Sequence, residues 1–499
     1  MNWPTRPIIY EIHTYIWLND LSQIFQRNIT LANVPTEIWD AIAELHIDAV
    51  WLMGIWERSP LGRAIAMDNS GLVQDFSHKL PDFDPDDNVG SAYCIRNYKI
   101  DAALGSEMDL SVVRQALGKR GIRLILDFVP NHCALDHAWV AEHPDYFIRG
   151  NQQNYTDDPT AYFQVGGYFL ARGRDPNSSA WPDVAQLNLF SRGLRDALME
   201  NLRNIAQQCD GLRCDMAMLV LNDIFKQTWA LSAGEDIQEE FWTEAIRTIR
   251  KEKPDFLFIA ECYWDTEWQL QQLGFDFCYD KRLYDRLVYE NAESIRTHLT
   301  ANLDYQAKLI RFIENHDESR ATVAFGVDPL GSISQSRYYA AAIIAASLPG
   351  AKLFYEGQFE GRQIGGSVFL RRRFNEIVDT ELAGFYARLL KIIDDPLIRK
   401  GDWNLLDCEG WPENQSFKNL LAWAYSLDGE YCLIVVNFSS VDAQGAIKLP
   451  WTELLDKTIC LNDLLHDQNY QRVGIELISQ GLFVEMPPWG IHWFSFNLT

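Results

Sequence analysis

Short apolar, β-leaning runs recur through the first four hundred residues, at 8–12, 49–53, 123–128, 211–215, 256–261, 275–279, 310–314 and 352–355. Longer stretches with the spacing of amphipathic helices separate them. Within most runs, apolar residues follow one another instead of alternating with polar ones, which is how a strand covered on both faces reads. Strand and helix in alternation predict βα units and a parallel sheet. Eight such runs fit an α/β fold in which the sheet closes on itself, a (β/α)8 TIM barrel.

The spacing of the runs also predicts an insertion. A barrel of about 250 residues allows roughly 30 per βα unit, yet Asp127 and Asp215 lie 88 positions apart. The surplus falls in 133–186, which is rich in Asn, Gln, Gly, Asp, Tyr and Pro, and this stretch is assigned to a small domain inserted after the third strand. The barrel then comprises 1–132 and 187–400. Beyond it, shorter β-type runs at 420–425, 431–438, 458–461, 482–486 and 491–496 predict a C-terminal antiparallel β-sandwich over 401–499. No internal repeat is visible, which sets solenoids aside.

Composition narrows the choice of partners. Of 499 residues, 47% are hydrophobic and 23% charged, proportions that support a large core and exclude a disordered chain. The formal net charge of −25 repels phosphate backbones and anionic headgroups, so neither nucleic acid nor a membrane surface is expected as a partner. The first ten residues lack the layout of a secretory signal. The longest apolar stretch, 338–351, has 14 residues and contains Pro349, against the roughly 20 needed for a spanning helix. The nine cysteines include no C-x-x-C pair and read as free thiols. Together these features predict a soluble cytoplasmic protein; they leave its oligomeric state open.

Polar residues gather where four of the runs stop. The segments are Asp127-Phe128-Val129-Pro130-Asn131-His132, Gly211-Leu212-Arg213-Cys214-Asp215, Ala260-Glu261 and Glu314-Asn315-His316-Asp317. Side chains at the carboxyl ends of barrel strands point into the mouth, where barrel enzymes keep their chemistry. A rim bearing Asp215, Glu261 and Asp317 beside Arg213, His132 and His316 supplies the paired carboxylates that glycosidic cleavage requires. Arg213 beside Asp215 favours an ionised carboxylate there, and the apolar run before Glu261 favours a raised pKa at that one. In a retaining enzyme the two carboxyl groups stand about 5–5.5 Å apart.

The four segments, in this order and spacing, resemble the motifs of the α-amylase family of retaining α-glycoside enzymes. The resemblance extends over the barrel, the insertion and the C-terminal β domain. It implies that Asp215 is the nucleophile, Glu261 the general acid/base and Asp317 the carboxylate that holds and distorts the sugar. It further implies that Arg213 orients the nucleophile, that His132 and His316 bond sugar hydroxyls, and that Asp127 and Asn131 are structural residues near the site. Tyr93, in Tyr93-Cys94-Ile95-Arg96-Asn97-Tyr98, is similar to the family tyrosine that stacks on the sugar being cleaved.

The chain departs from that pattern in several places. Asp215 is followed by Met216-Ala217-Met218-Leu219, where starch-cleaving endo-amylases carry a Lys-His pair that supports a calcium ligand. No organic cofactor and no required metal are implied, although Asn131, Asp175 and Asp183 remain calcium candidates. Asn97 replaces the usual aspartate, and Gly357-Gln358-Phe359-Glu360 is one residue longer than the common Gly-x-Glu. Cys133, Cys214 and Cys262 adjoin His132, Asp215 and Glu261 and are read as packing residues ahead of redox sensors. Arg371-Arg372-Arg373 is read as a solvated basic face ahead of a phosphate or sugar site.

The expected function is a retaining α-glycosidase acting on a short neutral α-glucoside through a covalent glycosyl-enzyme. A glucosyl transferase or phosphorylase of the same fold is the alternative. A noncatalytic carbohydrate-binding scaffold is the remaining reading; such scaffolds lose the catalytic carboxylates, and this chain retains them.

Overall fold

The computed structural model describes residues 3–235, 237–327, 331 and 334–497. Eight strands match the eight apolar runs: β1 (Ile8–His13), β2 (Ala49–Met53), β3 (Arg123–Phe128), β4 (Gly211–Cys214), β5 (Leu257–Ala260), β6 (Phe277–Tyr279), β7 (Leu309–Arg311) and β8 (Ala351–Tyr355). They close a parallel barrel in the order β1-β8-β7-β6-β5-β4-β3-β2. Every residue of β2, β4, β5 and β8 is buried, which explains why these strands lack hydropathic alternation. The chain divides into two units, one of 1–3, 8–279 and 364–376, the other of 4–7, 280–363 and 377–499.

In the first unit, β2, β3, β4 and β5 run side by side in a register that pairs Arg213 with Asp127 on one flank and with Ile259 on the other. The intervening helices carry local start signals. Glu107–Gly118, for instance, opens with a reciprocal box in which Ser106 and Asp109 each accept the other's backbone N–H. Between β3 and β4 the chain makes a short antiparallel pair, His132–Ala134 with Val184–Gln186, and a three-stranded sheet of Arg149–Gly150, Tyr168–Ala171 and Tyr162–Val165.

The arginine run at 371–373 differs from the solvated face expected of it. Arg372 pairs with Asp87 at 2.7 Å and with Asp82 at 3.1 Å, Arg371 reaches Asp87 at 3.5 Å, and Arg373 pairs with Asp20 at 2.5 Å. Asp87 is buried, which by itself would raise its carboxyl, yet the Arg372 hydrogen bond, its bond to the Asp84 backbone and the charges of Arg372 and Arg371 together hold it below the usual value. The basic run is therefore a paired staple, with Arg371 still half in solvent. Its charge is matched by acids 284 to 353 positions away, which a local charge pattern does not reveal.

The second unit contains β7, β8 and two antiparallel sheets. The C-terminal strands are β9 (Asp402–Leu406), β10 (Cys408–Glu409), β11 (Leu420–Leu427), β12 (Glu430–Asn437), β13 (Ala443–Ile447), β14 (Thr458–Asp463), β15 (Gln468–Val473), β16 (Leu482–Met486) and β17 (Ile491–Asn497). One sheet has the order β9-β11-β12-β17-β14-β15, the other β10-β13-β16. Residues from both sheets, among them Ala422, Leu433, Ile447, Leu461, Val484 and Phe494, form one apolar cluster. Among the described residues no helix is long and apolar enough to cross a membrane.

Candidate active site

At the carboxyl ends of β4 and β5 the ladder of hydrogen bonds continues past the strands. Asp215 N–H donates to the Phe128 carbonyl at 2.8 Å, Glu261 N–H to the Cys214 carbonyl at 3.1 Å, and Ala217 N–H to the Glu261 carbonyl at 2.8 Å. The backbone of both carboxylate residues is thus clamped by the neighbouring strand. Between them Met216 takes a left-handed conformation, φ 42°, unusual for a residue with a side chain. That turn points the Met216 N–H at Glu261 Oε2, 2.6 Å away.

The side chains converge on one guanidinium. Arg213 is 1% exposed; its Nη1 lies 2.7 Å from Asp215 Oδ1 and its Nη2 lies 2.7 Å from Glu261 Oε2. Asp127 Oδ1 stands 3.8 Å from Nη1. The Tyr93 ring lies 4.9 Å from the guanidinium carbon and the Trp51 ring 5.3 Å, so aromatic faces add attraction for the cation. Burial alone would lower the Arg213 pKa, but Glu261 first, then Tyr93, Tyr279 and Asp215, hold it well above the ordinary arginine value.

Glu261 differs from the apolar setting expected of it. Besides Arg213 and the Met216 N–H, it accepts the Tyr263 hydroxyl on Oε1 at 2.8 Å. The apolar run Leu257–Ala260 surrounds the strand, whereas the carboxylate itself sits among donors. Tyr263 went unmarked in the sequence, although its position two residues after Glu261 is the spacing that puts two side chains on one face of an extended segment. Trp51 and Tyr279 carried no signal beyond lying in strands.

The residues of the first motif support this cluster. Asp127 accepts the N–H of Gly54 on Oδ2 at 3.0 Å, and its carbonyl accepts Trp56 Nε1 at 2.9 Å. Gly54 has φ +74°, and a Cβ there would meet the Ala92 Cβ at 2.9 Å. Asn131 Oδ1 and the Asn131 carbonyl both accept Gln186 Nε2 at 3.0 Å, so this pair closes the base of the segment between β3 and β4. Tyr98 fastens the same turn, donating to the Val129 carbonyl and accepting the Val129 N–H.

His132 lies on that base, edge-on to Trp181 at 5.3 Å. Burial pushes its pKa down to about 4, against the opposing pull of Asp183 and a hydrogen bond to the Tyr93 backbone. The imidazole is therefore neutral near pH 7 and able to serve a sugar hydroxyl as a neutral partner. A free histidine titrates near 6.5, so the unfolded chain binds the proton first. Stability should be level above pH 6.5 and fall by on the order of 3 kcal/mol from this group as pH drops to about 4. Urea midpoints at intervals of pH should show that slope in the native protein and a shallower one in His132→Gln; equal slopes would contradict it.

Within the second unit, the loop after β7 is held from inside. Glu314 pairs with Arg320 at 2.7 Å, Arg320 donates to the Glu356 carbonyl, and Asn315 Oδ1 accepts the N–H groups of Asp317 and Glu318, both at 2.9 Å. His316 is buried with its Nε2 3.1 Å from Asp317 Oδ2, and the Asp317 side chain is 42% exposed.

The residues considered for calcium are engaged within the protein. Asn131 holds Gln186, Asp175 Oδ1 accepts the Asn177 N–H, and burial raises the pKa of Asp183. Cys133, Cys214 and Cys262 are free and buried, and burial pushes all three thiols up. A thiol kept protonated is a poor nucleophile, in line with packing.

A family model described as the catalytic domain of alpha amylase matches residues 36–366. The chain belongs to the α-amylase family. The α-amylase MalA of Haloarcula japonica is 23% identical over 457 residues, 88% of this chain and 56% of the relative. An α-1,4-glucan:maltose-1-phosphate maltosyltransferase of Picrophilus torridus is 21% identical over 417 residues, 77% of this chain and 57% of the relative. The chain thus spans little more than half the length of these curated relatives. Among solved α-amylase-family structures, a maltogenic α-amylase of Thermotoga neapolitana shares the fold with TM-score 0.70 at 17% identity, covering 100% of both chains.

Proposed function

We propose that this α-amylase-family chain is a retaining α-glycosidase that cleaves a short neutral α-glucoside by double displacement. The observation that carries the reading is the single buried guanidinium shared by Asp215 and Glu261. One cation bonded to both carboxylates keeps them close, and a close pair is what a covalent glycosyl-enzyme route requires.

In this reading Asp215 attacks the anomeric carbon as the bond to the leaving oxygen breaks, and Glu261 gives that oxygen its proton. In the second half Glu261 takes a proton from the incoming water, whose oxygen displaces Asp215 from the sugar. Arg213 holds the attacking oxygen of Asp215 in place and offsets the charge left on Glu261 once its proton has been given up. Tyr93 offers its ring to the sugar face and neutral His132 bonds its hydroxyls; the motif position of His316 assigns it the same task. Asp317, by its motif position, holds and distorts the ring.

Glu261→Gln should lower kcat/KM on an alkyl or sugar α-glucoside by roughly 10²- to 10⁴-fold. With α-glucosyl fluoride, whose leaving group needs little protonation, the deficit should shrink. An equal deficit on both substrates would remove Glu261 from the proton-donor role. The reaction class is tested by supplying α-linked glucosides to the purified chain and following the anomer first released by nuclear magnetic resonance. The α-anomer supports retention, and the β-anomer rejects it.

The maltosyltransferase relative favours a second reading, in which a sugar or phosphate replaces water as acceptor. Including phosphate or an oligosaccharide in the same assay separates the two, since glucosyl phosphate or elongated products mark transfer and free sugar alone marks hydrolysis.

A further inference from the structure

The C-terminal β domain carries a cluster that glycoside cleavage does not use. Strand β14 alternates exposed and buried residues, and its last inward position, after Ile459 and Leu461, is Asp463. An aspartate buried at a core-facing position needs compensating partners. Its Oδ2 lies 2.9 Å from His466 Nδ1 and 2.7 Å from His492 Nδ1, and the three donor atoms all lie within 4.8 Å of one another. We propose that Asp463, His466 and His492 form a binding site for a divalent transition metal of the zinc class.

The donor set, two imidazole nitrogens and one carboxylate oxygen, is one that zinc favours, and three protein ligands leave a further position for solvent. Tetrahedral zinc, with bonds of about 2.0–2.1 Å, separates its ligand atoms by roughly 3.3 Å, so the imidazoles draw back from Asp463 by about half an ångström while their two nitrogens, within 4.8 Å of each other, settle at the same spacing. His466, on the turn after β14, has half of its side chain in solvent and is free to make that movement.

The other two ligands are set in place. Asp463 Oδ1 accepts the Leu465 N–H at 3.1 Å, which fixes the carboxylate plane. The His492 ring stacks on Phe494 at 4.9 Å and 16°, with Tyr470 edge-on at 6.2 Å. Such outer contacts orient metal ligands. An ion here would tie the end of β14 and the following turn to β17.

The test uses the full chain after treatment with chelator, titrated with Zn²⁺ by calorimetry and with Co²⁺ by visible absorption. The expected result is one ion per chain, the d–d bands of four-coordinate cobalt, and a rise in thermal midpoint on adding Zn²⁺. Affinity should fall at least tenfold in His466→Gln and in Asp463→Asn, with glucoside turnover of His466→Gln unchanged. Because His466 is half-exposed, its variant carries the test even where Asp463→Asn fails to fold. Absence of binding, or equal affinity in His466→Gln, would overturn the proposal. So would a thiolate-to-cobalt charge-transfer band, which would move the ion to Cys460, the exposed cysteine on the same strand.

Discussion

Asp215→Asn should lower kcat/KM by on the order of 10⁴-fold or more while the protein stays folded. The amide is nearly isosteric and can still face Arg213 Nη1, and the Asp215 N–H bond to the Phe128 carbonyl does not involve the side chain. What disappears is the negative oxygen that, in the proposed mechanism, bonds to the anomeric carbon. Circular dichroism and the urea midpoint should remain near those of the native chain. A smaller residue at this position opens a hole on that side of the sugar, so Asp215→Gly supplied with azide and a substrate with a reactive leaving group should form the β-glycosyl azide. Substantial turnover by a purified Asp215→Asn preparation, free of native contamination, would remove this residue from the attacking role.

Arg213→Met should be the most damaging single change to stability in the first unit. It removes one positive charge from a site where Asp215 and Glu261 are 4% and 3% exposed, leaving two acids buried beside each other. Breaking a buried pair of this kind costs about 3–5 kcal/mol, because the orphaned charge keeps its desolvation penalty. The signature lies in the pH dependence. With the cation gone, mutual repulsion raises the folded-state pKa of one acid above its unfolded value, so the folded variant binds more protons. Stability then falls with rising pH in the variant, and its deficit against the native protein should be larger at pH 7 than at pH 5. Arg213→Lys should recover only part of the loss, since an ammonium is a point charge without the fork that reaches both acids. A deficit below about 1 kcal/mol, typical of exposed pairs, would contradict this account.

The barrel was legible because burial on both faces leaves an apolar imprint on the chain itself; the runs at 49–53 and 123–128 coincide with β2 and β3 to the residue. The C-terminal strands β11, β12, β14, β16 and β17 were legible for a related reason, an inward-facing apolar set. Strand β15, with the sequence Gln-Asn-Tyr-Gln-Arg-Val, was not: it ends its sheet, is mostly exposed, and holds its place by backbone pairing to β14 that no side-chain pattern records.

The same division applies to the site. Asp215, Glu261 and Arg213 were marked by residue type and position, and the structure brings them together with Tyr93 and Asp127. The left-handed Met216, the Tyr263 hydroxyl and the Trp51 ring depend on three-dimensional closure. No local rule separates that methionine or that tryptophan from ordinary core residues. The polar surroundings of Glu261 belong to this second group, because apolar neighbours along a strand say little about what its end faces.

The clamped ends of β4 and β5 have a consequence for how such a molecule can diversify. Because neighbouring strands grip the peptide groups of both acids, the pair cannot be re-aimed without unzipping the barrel wall. The excursion between β3 and β4, by contrast, returns through Asn131 and Gln186 and can be lengthened, shortened or exchanged above that knot. If the proposed roles hold, selectivity for sugar length or acceptor is free to drift in the excursion while the two acids stay as they are.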